Sequence, residues 1–390
     1  MNQGKYVFAQ LMSLLNHNEF NRCVKRYNGN YRVRFFTCWH QFLCLSFGQL
    51  SQRESLRDTV TCLSSHQNKH FHLGIKNGVK RSTFSEANEK RDYRIFQDFA
   101  QYLIQQARDL YKGFDQTDLG IKAPVYAIDA TTIDLCISIF WWAPFRKTKA
   151  AIKLNTQLDL KCGIPTFIHI TDGKQHEVNS LDLIEIEPAA FYVFDKGYLD
   201  YRRLYNIKNK GATFVTRPRS NAVFKRLYSA KADKANGIKC DQTVKLVGFE
   251  VSKKYPDKIR RVKYYDKELD KTFVFITNNF EIQASEVADL YKNRWQIELF
   301  FKWIKQHLRV KTFWGHSKNA VYTQIWVAIS SYVLVAILKK KLDIPHSMYE
   351  ILQILSVSLL DKTPVNELFM KTPLQKTKSH GPNQLNFFGL

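Results

Sequence analysis

The sequence predicts an α/β protein. Its core of short strands and helices is interrupted by a β-rich insertion, preceded by a mostly helical region and followed by further helices. Three observations predict this. Residues 1 to about 120 carry apolar side chains at helical spacing. From Val125 the pattern changes to short β-rich runs, VYAID, AIKLNTQLDL, PTFIHIT and FYVFD. A lysine-rich stretch from Gly211 to Asn279 then alternates polar and apolar residues before helical periodicity returns.

Within the first region, FFTCWHQFLCLSFGQL (35–50) is apolar at helical spacing and QRESLRDTVTCL (52–63) follows closely. Two short adjacent helices with basic flanks suit DNA docking and suit a plain bundle equally well. A third helix is predicted from RSTFSEANEK, where Thr83 and Glu86 have capping-box spacing, through Phe96, Phe99, Ala100, Leu103, Ala107 and Leu110. After the loop KGFDQTDLGIKAP come the strands, then YLDYRRLYNIKNKG as a helix ending at Gly211. The stretch 211–280, with TVKLVGFEV, RVKYYD and TFVFIT, reads as an antiparallel insertion whose last strand is TFVFIT. The boundaries drawn are a helical DNA-binding region (1–120), a first part of the core (121–210), the insertion (211–280), a second part of the core (281–340) and a C-terminal helical region with a loosely ordered tail, SHGPNQLNFFGL (341–390).

A chain of 390 residues with 45% hydrophobic content can bury the cores of two or three domains. Lys plus Arg number 59 against 35 for Asp plus Glu, a net charge of +24, which is the footprint of a polyanion binder, with nucleic acid the expected partner. A membrane is not expected: the N-terminus lacks the order of a signal peptide. The longest apolar run, IWVAISSYVLVAIL (325–338), is also shorter than the roughly 20 residues of a spanning helix. It reads as a buried helix closed by Lys339, Lys340 and Lys341. Seven scattered cysteines with no C-x-x-C pair fit a reducing cytoplasm. Cys62 lies near His66, His70 and His72, but the spacing is not that of a zinc site, and these read as surface histidines.

The chemistry is concentrated in YKNRWQIELFFKWIKQHL (291–308). At about 100° per residue, Tyr291, Arg294, Glu298 and Lys305 fall at about 0°, −60°, −20° and −40°, one narrow arc beside an apolar stripe of Leu290, Ile297, Phe301, Ile304 and Leu308. Glu298 then either pairs with Arg294 at i−4, worth a few tenths of a kcal/mol, or meets partners from the sheet. VYAID and FYVFD each end an apolar run with an aspartate, Asp129 and Asp195, at the strand ends where α/β sheets build sites. Two aspartates and a glutamate can hold two hard divalent ions such as Mg²⁺, about 4 Å apart, for phosphodiester cleavage. Arg294, Lys305 and Tyr291 would then hold DNA phosphates, and Trp295 would stack on an unpaired base or lie in the core. Asp134, Asp159, Asp172, Asp182, His176 and Glu177 lie nearby. Asp134 is the main rival for the first ligand, and the others read as structural or solvated.

These residues resemble those of bacterial DDE transposases of the insertion-sequence-four family, whose motif is Tyr, two residues, Arg, three residues, Glu, six residues, Lys. Tyr291, Arg294, Glu298 and Lys305 satisfy it, joined by IDATTI around Asp129 and FDKGY around Asp195. The resemblance spans nearly the whole chain, including an N-terminal helical region of the kind fused to some members. It implies an RNase H-like core, with Asp129, Asp195 and Glu298 as catalytic metal ligands for two Mg²⁺ ions, Mn²⁺ substituting. Tyr291, Arg294, Trp295 and Lys305 become DNA contacts, with a second stacking aromatic from the insertion among Tyr264, Tyr265 and Phe273. The activity implied is cut-and-paste transposition: cleavage at terminal inverted repeats and transfer of the freed 3′-hydroxyl into target DNA, by a homodimer in a synaptic complex, in the bacterial cytoplasm and at the nucleoid. Asn155 and Glu177 stand where commoner members carry His and Asp. A noncatalytic DNA-binding derivative and a nuclease without strand transfer are the two rival readings.

Overall fold

The computed structural model describes residues 4–75, 78–117, 119–146, 149–307 and 313–370. Six helices come first, α1 (Val7–Met12), α2 (His17–Arg26), α3 (Cys38–Leu50), α4 (Leu56–Ser64), α5 (Arg81–Lys90) and α6 (Arg94–Leu110). Strands β1 (Val125–Leu135), β2 (Pro144–Arg146), β3 (Lys149–Asp159), β4 (Ile164–Asp172) and β5 (Phe191–Phe194) follow, then α7 (Tyr201–Asn209) and β6 (Thr213–Thr216). The next segment contains β7 (Phe224–Ala230), β8 (Ile238–Leu246), α8 (Phe249–Lys254), β9 (Ile259–Asp266) and β10 (Lys271–Thr277). The chain continues through α9 (Ala284–Asn293), α10 (Trp295–His307), α11 (Lys318–Lys341), α12 (Met348–Ser358) and α13 (Val365–Met370). The predicted tail, SHGPNQLNFFGL, and Leu308 lie outside the described residues.

The strands form one mixed sheet, β2-β3-β1-β5-β6-β10-β9-β8-β7, with β4 also paired to β3. β1, β5 and β6 run parallel to one another, and the remaining pairings are antiparallel. The β-rich segment therefore prolongs the core sheet through the β6–β10 pair. Its GFEV portion, read as strand, forms the start of α8 instead, entered at Gly248 with a φ of 120° that a side chain rarely adopts.

Strand pleating sorts the core into two faces. Val125, Ala127, Val193 and Val215 pack with Leu290, Ile297, Phe301 and the helices of the N- and C-terminal regions. Tyr126, Ile128, Tyr192, Phe194 and Phe214 pack on the other side with Leu204 and Ile207 of α7. At the centre of the first face lies α11, buried from Ala320 to Leu338 on every side, as its lack of a polar face requires. Among the described residues it is the one helix long and apolar enough to cross a membrane, and it is wholly buried inside the protein. It begins before the predicted apolar run, at a Ser317 cap.

Two helical expectations are corrected. The single helix from Arg81 is two: Arg91 is extended, Asp92 Oδ1 accepts the Arg94 amide at 2.9 Å, and Asn319 accepts the Tyr93 amide and donates to the Asn88 and Arg91 carbonyls. Thr83 and Glu86 form no capping box, since Lys80 is the N-cap and no side chain caps it. Of the adjacent pair, α3 is buried from Gln41 to Leu50, packed by α4, α5, α11 and α12, whereas α4 keeps Arg57, Thr61 and Ser64 exposed. His70 is likewise no surface residue. It is buried, with Nε2 at 2.7 Å from the Leu63 carbonyl.

Candidate active site

The sheet register brings the two aspartates side by side. β1 and β5 pair in parallel up to Ile128 against Phe194, so Asp129 and Asp195 occupy the next positions. By alternation both share the face of Ala127 and Val193, the face covered by α9 and α10. Asp195 does end its strand, capping a short turn by accepting the Lys196 amide at 2.6 Å. Asp129 does not: β1 runs on to Leu135 because β3 pairs with it beyond the end of β5, so the aspartate stands mid-strand. The rival Asp134 differs from Asp129 by an odd number of residues in an unbroken register and is exposed, so it faces away.

The glutamate helix is also two. α9 ends at Asn293 and α10 begins at Trp295, with Arg294 between them making backbone bonds of the three-residue kind. Tyr291 therefore sits on the last turn of α9 and Glu298 on the first turn of α10. Leu290, Ile297, Phe301 and Ile304 are buried as the stripe predicts.

Two side chains gather all three carboxylates. Tyr291 donates its hydroxyl to Asp195 Oδ1 at 3.1 Å. The Arg294 guanidinium, with a side chain only 14% exposed, reaches Asp129 Oδ2 at 3.1 Å and Glu298 Oε1 at 2.7 Å. The expected i−4 pair and the expected meeting with the sheet are thus one network. Burial pushes the Asp129 carboxyl up to about 6, against the pull of the Ala130 amide and Arg294 and with help from the negative charges of Glu298 and Glu177. Burial and the neighbouring Asp195 push the Tyr291 hydroxyl up to about 12, so it stays a proton donor at neutral pH.

A cleft of about 350 Å³ opens here, lined by Asp129, Ala130, Thr131, Glu298, Phe301, Lys302 and Lys305. Lys305 donates to the Thr132 carbonyl at 2.7 Å, which clips α10 to the continuation of β1. Lys302, one turn beyond Glu298, lines the same cleft and was not picked out from the sequence. Trp295 is 54% exposed, which removes the core alternative for it. Tyr264 and Phe273 are half-buried against the core, and Tyr265 donates to Asp270. The exposed aromatics of the insertion are instead Tyr228, Phe249 and, at its end, Phe280.

Of the remaining acids, Asp182 pairs with Arg203, Asp159 accepts the Lys161 amide, and Asp172 ends β4 exposed. Glu177 matters more than its sequence context suggested. It pairs with Lys153 at 3.2 Å and adds to the negative field at Asp129. Asn155 is a buried sheet residue donating to the His169 carbonyl and the Thr171 hydroxyl.

The donors are all carboxylate oxygens from three elements, the chemistry hard divalent ions prefer. Among the described residues no group of three or more His, Cys, Asp or Glu surrounds a metal position. The positive charge joining Asp129 to Glu298 is Arg294. The donor set thus fits a cation chemically, provided Arg294 yields its place.

A family model described as a transposase DDE domain matches residues 120–334, more than half of the chain and all of the residues just described. The chain belongs to the DDE transposase family. Enzymes of this family cleave DNA, and DDE domains generally use divalent metal ions. A second model, a domain of unknown function (DUF4372), matches residues 3–76. A protein named as a transposase from Sinorhizobium fredii is 34% identical over 257 residues, covering 65% of this chain and 70% of that protein. A protein named as a transposase for an insertion sequence element of Geobacillus stearothermophilus is 28% identical, covering 55% of this chain and 57% of its own length. A Synechocystis protein named as a transposase for another such element is 23% identical, covering 73% and 79%.

Proposed function

We propose that this DDE transposase moves an insertion sequence by a cut-and-paste route, with Asp129, Asp195 and Glu298 as its catalytic carboxylates. The observation that carries the reading is the pair Tyr291 and Arg294, the arginine bridging mid-strand Asp129 to Glu298 on α10 and the tyrosine holding Asp195 at the end of the neighbouring parallel strand. A structural role alone does not call for two carboxylates on one largely buried arginine with a third acid on the neighbouring tyrosine, since desolvating them is costly.

In this reading Asp129, Asp195 and Glu298 would hold the divalent cations, two Mg²⁺ with Mn²⁺ as substitute, which supply positive charge against the scissile phosphate and an acidified water. The chain's own groups orient the strand. Lys302 and Lys305 line the cleft beside the acids and contact phosphates, Tyr291 and Arg294 join them once Arg294 is released from its carboxylates, and Trp295 takes a displaced base on its exposed ring. In the first step a water oxygen bonds to phosphorus at the element's end and the bond to the 3′-oxygen breaks, leaving a 3′-hydroxyl. In the second step that hydroxyl attacks a target phosphodiester, displacing the target's own 3′-oxygen.

The RNase H-like assignment of the core is supported by the antiparallel set β4-β3-β1 continuing into the parallel set β1-β5-β6, with helices on both faces. Residues 1–120 and 341–390 are then helical accessories, and 211–280 is an insertion in the core (121–210 with 281–340). Two ends require two active sites, hence a homodimer on the terminal inverted repeats and target DNA, acting at the nucleoid in the cytoplasm.

The test is a reaction of the full chain with a labelled duplex carrying the element's end, supercoiled target DNA and Mg²⁺. Labelled 3′-ends joined to target are expected. Cleavage without joining favours the nuclease, and binding without cleavage favours the noncatalytic derivative.

A further inference from the structure

A second cleft, of about 1150 Å³, lies far along the sequence from the acids, between the segment joining α2 to α3 and helix α5. Its wall is the strap NGNYRVRFF (28–36), built to present side chains outward. Tyr31 is 71% exposed and Phe35 69%, and Arg32 and Arg34 are exposed beside them. The strap is pinned from within. The Gly29 amide donates to the Val24 carbonyl at 3.0 Å, and Asn30 Oδ1 accepts the Cys38 amide at 2.8 Å. Arg91, freed by the break after α5, donates to the Phe36 carbonyl and lies over its ring. A Cβ at Gly29 would strike Ile95 and Cys38. Asn28 and Arg32 hold positive φ values of 50° and 55°, a cost for non-glycine residues that only a well-held loop sustains.

The charge on this cleft is of one sign in effect. Glu86 on its rim is paired with Lys90, and Asp92 with Arg94. Arg32, Arg34 and Lys80 pair with no carboxylate among the described residues. Arginines at two-residue spacing with no carboxylate partner, Arg32 lying over the exposed Tyr31 ring, on a loop pinned from within, form a surface for a phosphate backbone.

We infer that the strap and the α5 rim dock duplex DNA through its phosphates, outside the catalytic cleft, which gives the matched domain of unknown function a DNA-holding role. Duplex DNA as occupant rests on the transposase reading, while the demand for a polyanion rests on the cleft alone.

The test compares the full chain with the double variant Arg32→Asn and Arg34→Gln, asparagine being chosen because it tolerates positive φ. Both bind a fluorescent duplex over a range of salt. The wild-type slope of log affinity against log salt should flatten by roughly 2 in the variant, about 0.9 for each phosphate no longer neutralised, with unchanged thermal unfolding. Cleavage at saturating DNA should stay at the wild-type rate. An unchanged slope overturns the inference, and so does stronger strap-dependent binding to an RNA duplex of the same length. If the wild type cleaves no DNA but the slope still falls, the catalytic reading fails and the strap stands. If cleavage is normal and the slope is unchanged, the strap fails and the catalytic reading stands.

Discussion

Two clefts among the described residues are of opposite design. The smaller, beside β1 and α10, gathers negative groups in a half-buried place, two of them paired with one arginine and the third hydrogen-bonded to one tyrosine. The larger, beside the strap, leaves Arg32 and Arg34 exposed and pairs its acids away. Burial makes charge expensive and its partners exacting, whereas exposure makes each charge cheap, weak and replaceable. The proposed reading puts chemistry in the first cleft and holding in the second, and on that reading substitutions should divide accordingly.

The largest effect is expected for alanine at Asp129, Asp195 or Glu298. Each should lower end cleavage by about 10⁴-fold, as for residues that act as a unit, with duplex affinity within a few-fold of wild type. Affinity falling in step with cleavage would erase the contrast between the clefts. Next comes Arg294→Gln, which removes the group orienting two acids and should lower cleavage by about 10- to 100-fold. Loss as complete as for the carboxylates would make Arg294 more than an orienting group.

The smallest effect sharpens the electrostatic side. Asp129 holds its proton up to about pH 6, above the ordinary 3.8, so the folded protein binds that proton more tightly than the unfolded chain. Its contribution is therefore most favourable below about pH 4 and is lost as pH rises through 6. In DNA-free and metal-free protein, Asp129→Asn should raise unfolding free energy by about 1–3 kcal/mol near neutral pH, with the gain vanishing near pH 4. A loss of stability at neutral pH would mean that the Arg294 pair outweighs burial.

Much of the acidic cleft was legible because it rests on local rules. Period 2 in VYAID and FYVFD aligned both aspartates with one sheet face, and period 3.6 placed Tyr291, Arg294 and Glu298 beside the buried stripe. What escaped notice depends on partners distant in sequence. β1 passes Asp129 only because β3 supplies its hydrogen bonds, and the helix from Arg81 breaks only because Asn319 takes up the freed backbone groups. Glu177 joins the field at Asp129 through tertiary placement. Likewise, nothing local marks α3 as buried on every side or the strap as rigid, since their contacts come from α11, α5 and α6.

The central claim is that three carboxylates on three elements form one cation-holding set, and it can be tested without knowing the element's ends. Thermal unfolding of the DNA-free chain is followed as Mn²⁺ is added, for the wild type and for Glu298→Gln. The wild-type midpoint should climb with Mn²⁺, as it does whenever a ligand binds the folded state alone, and the variant's should stay nearly flat. An equal climb in both would contradict a set that includes Glu298.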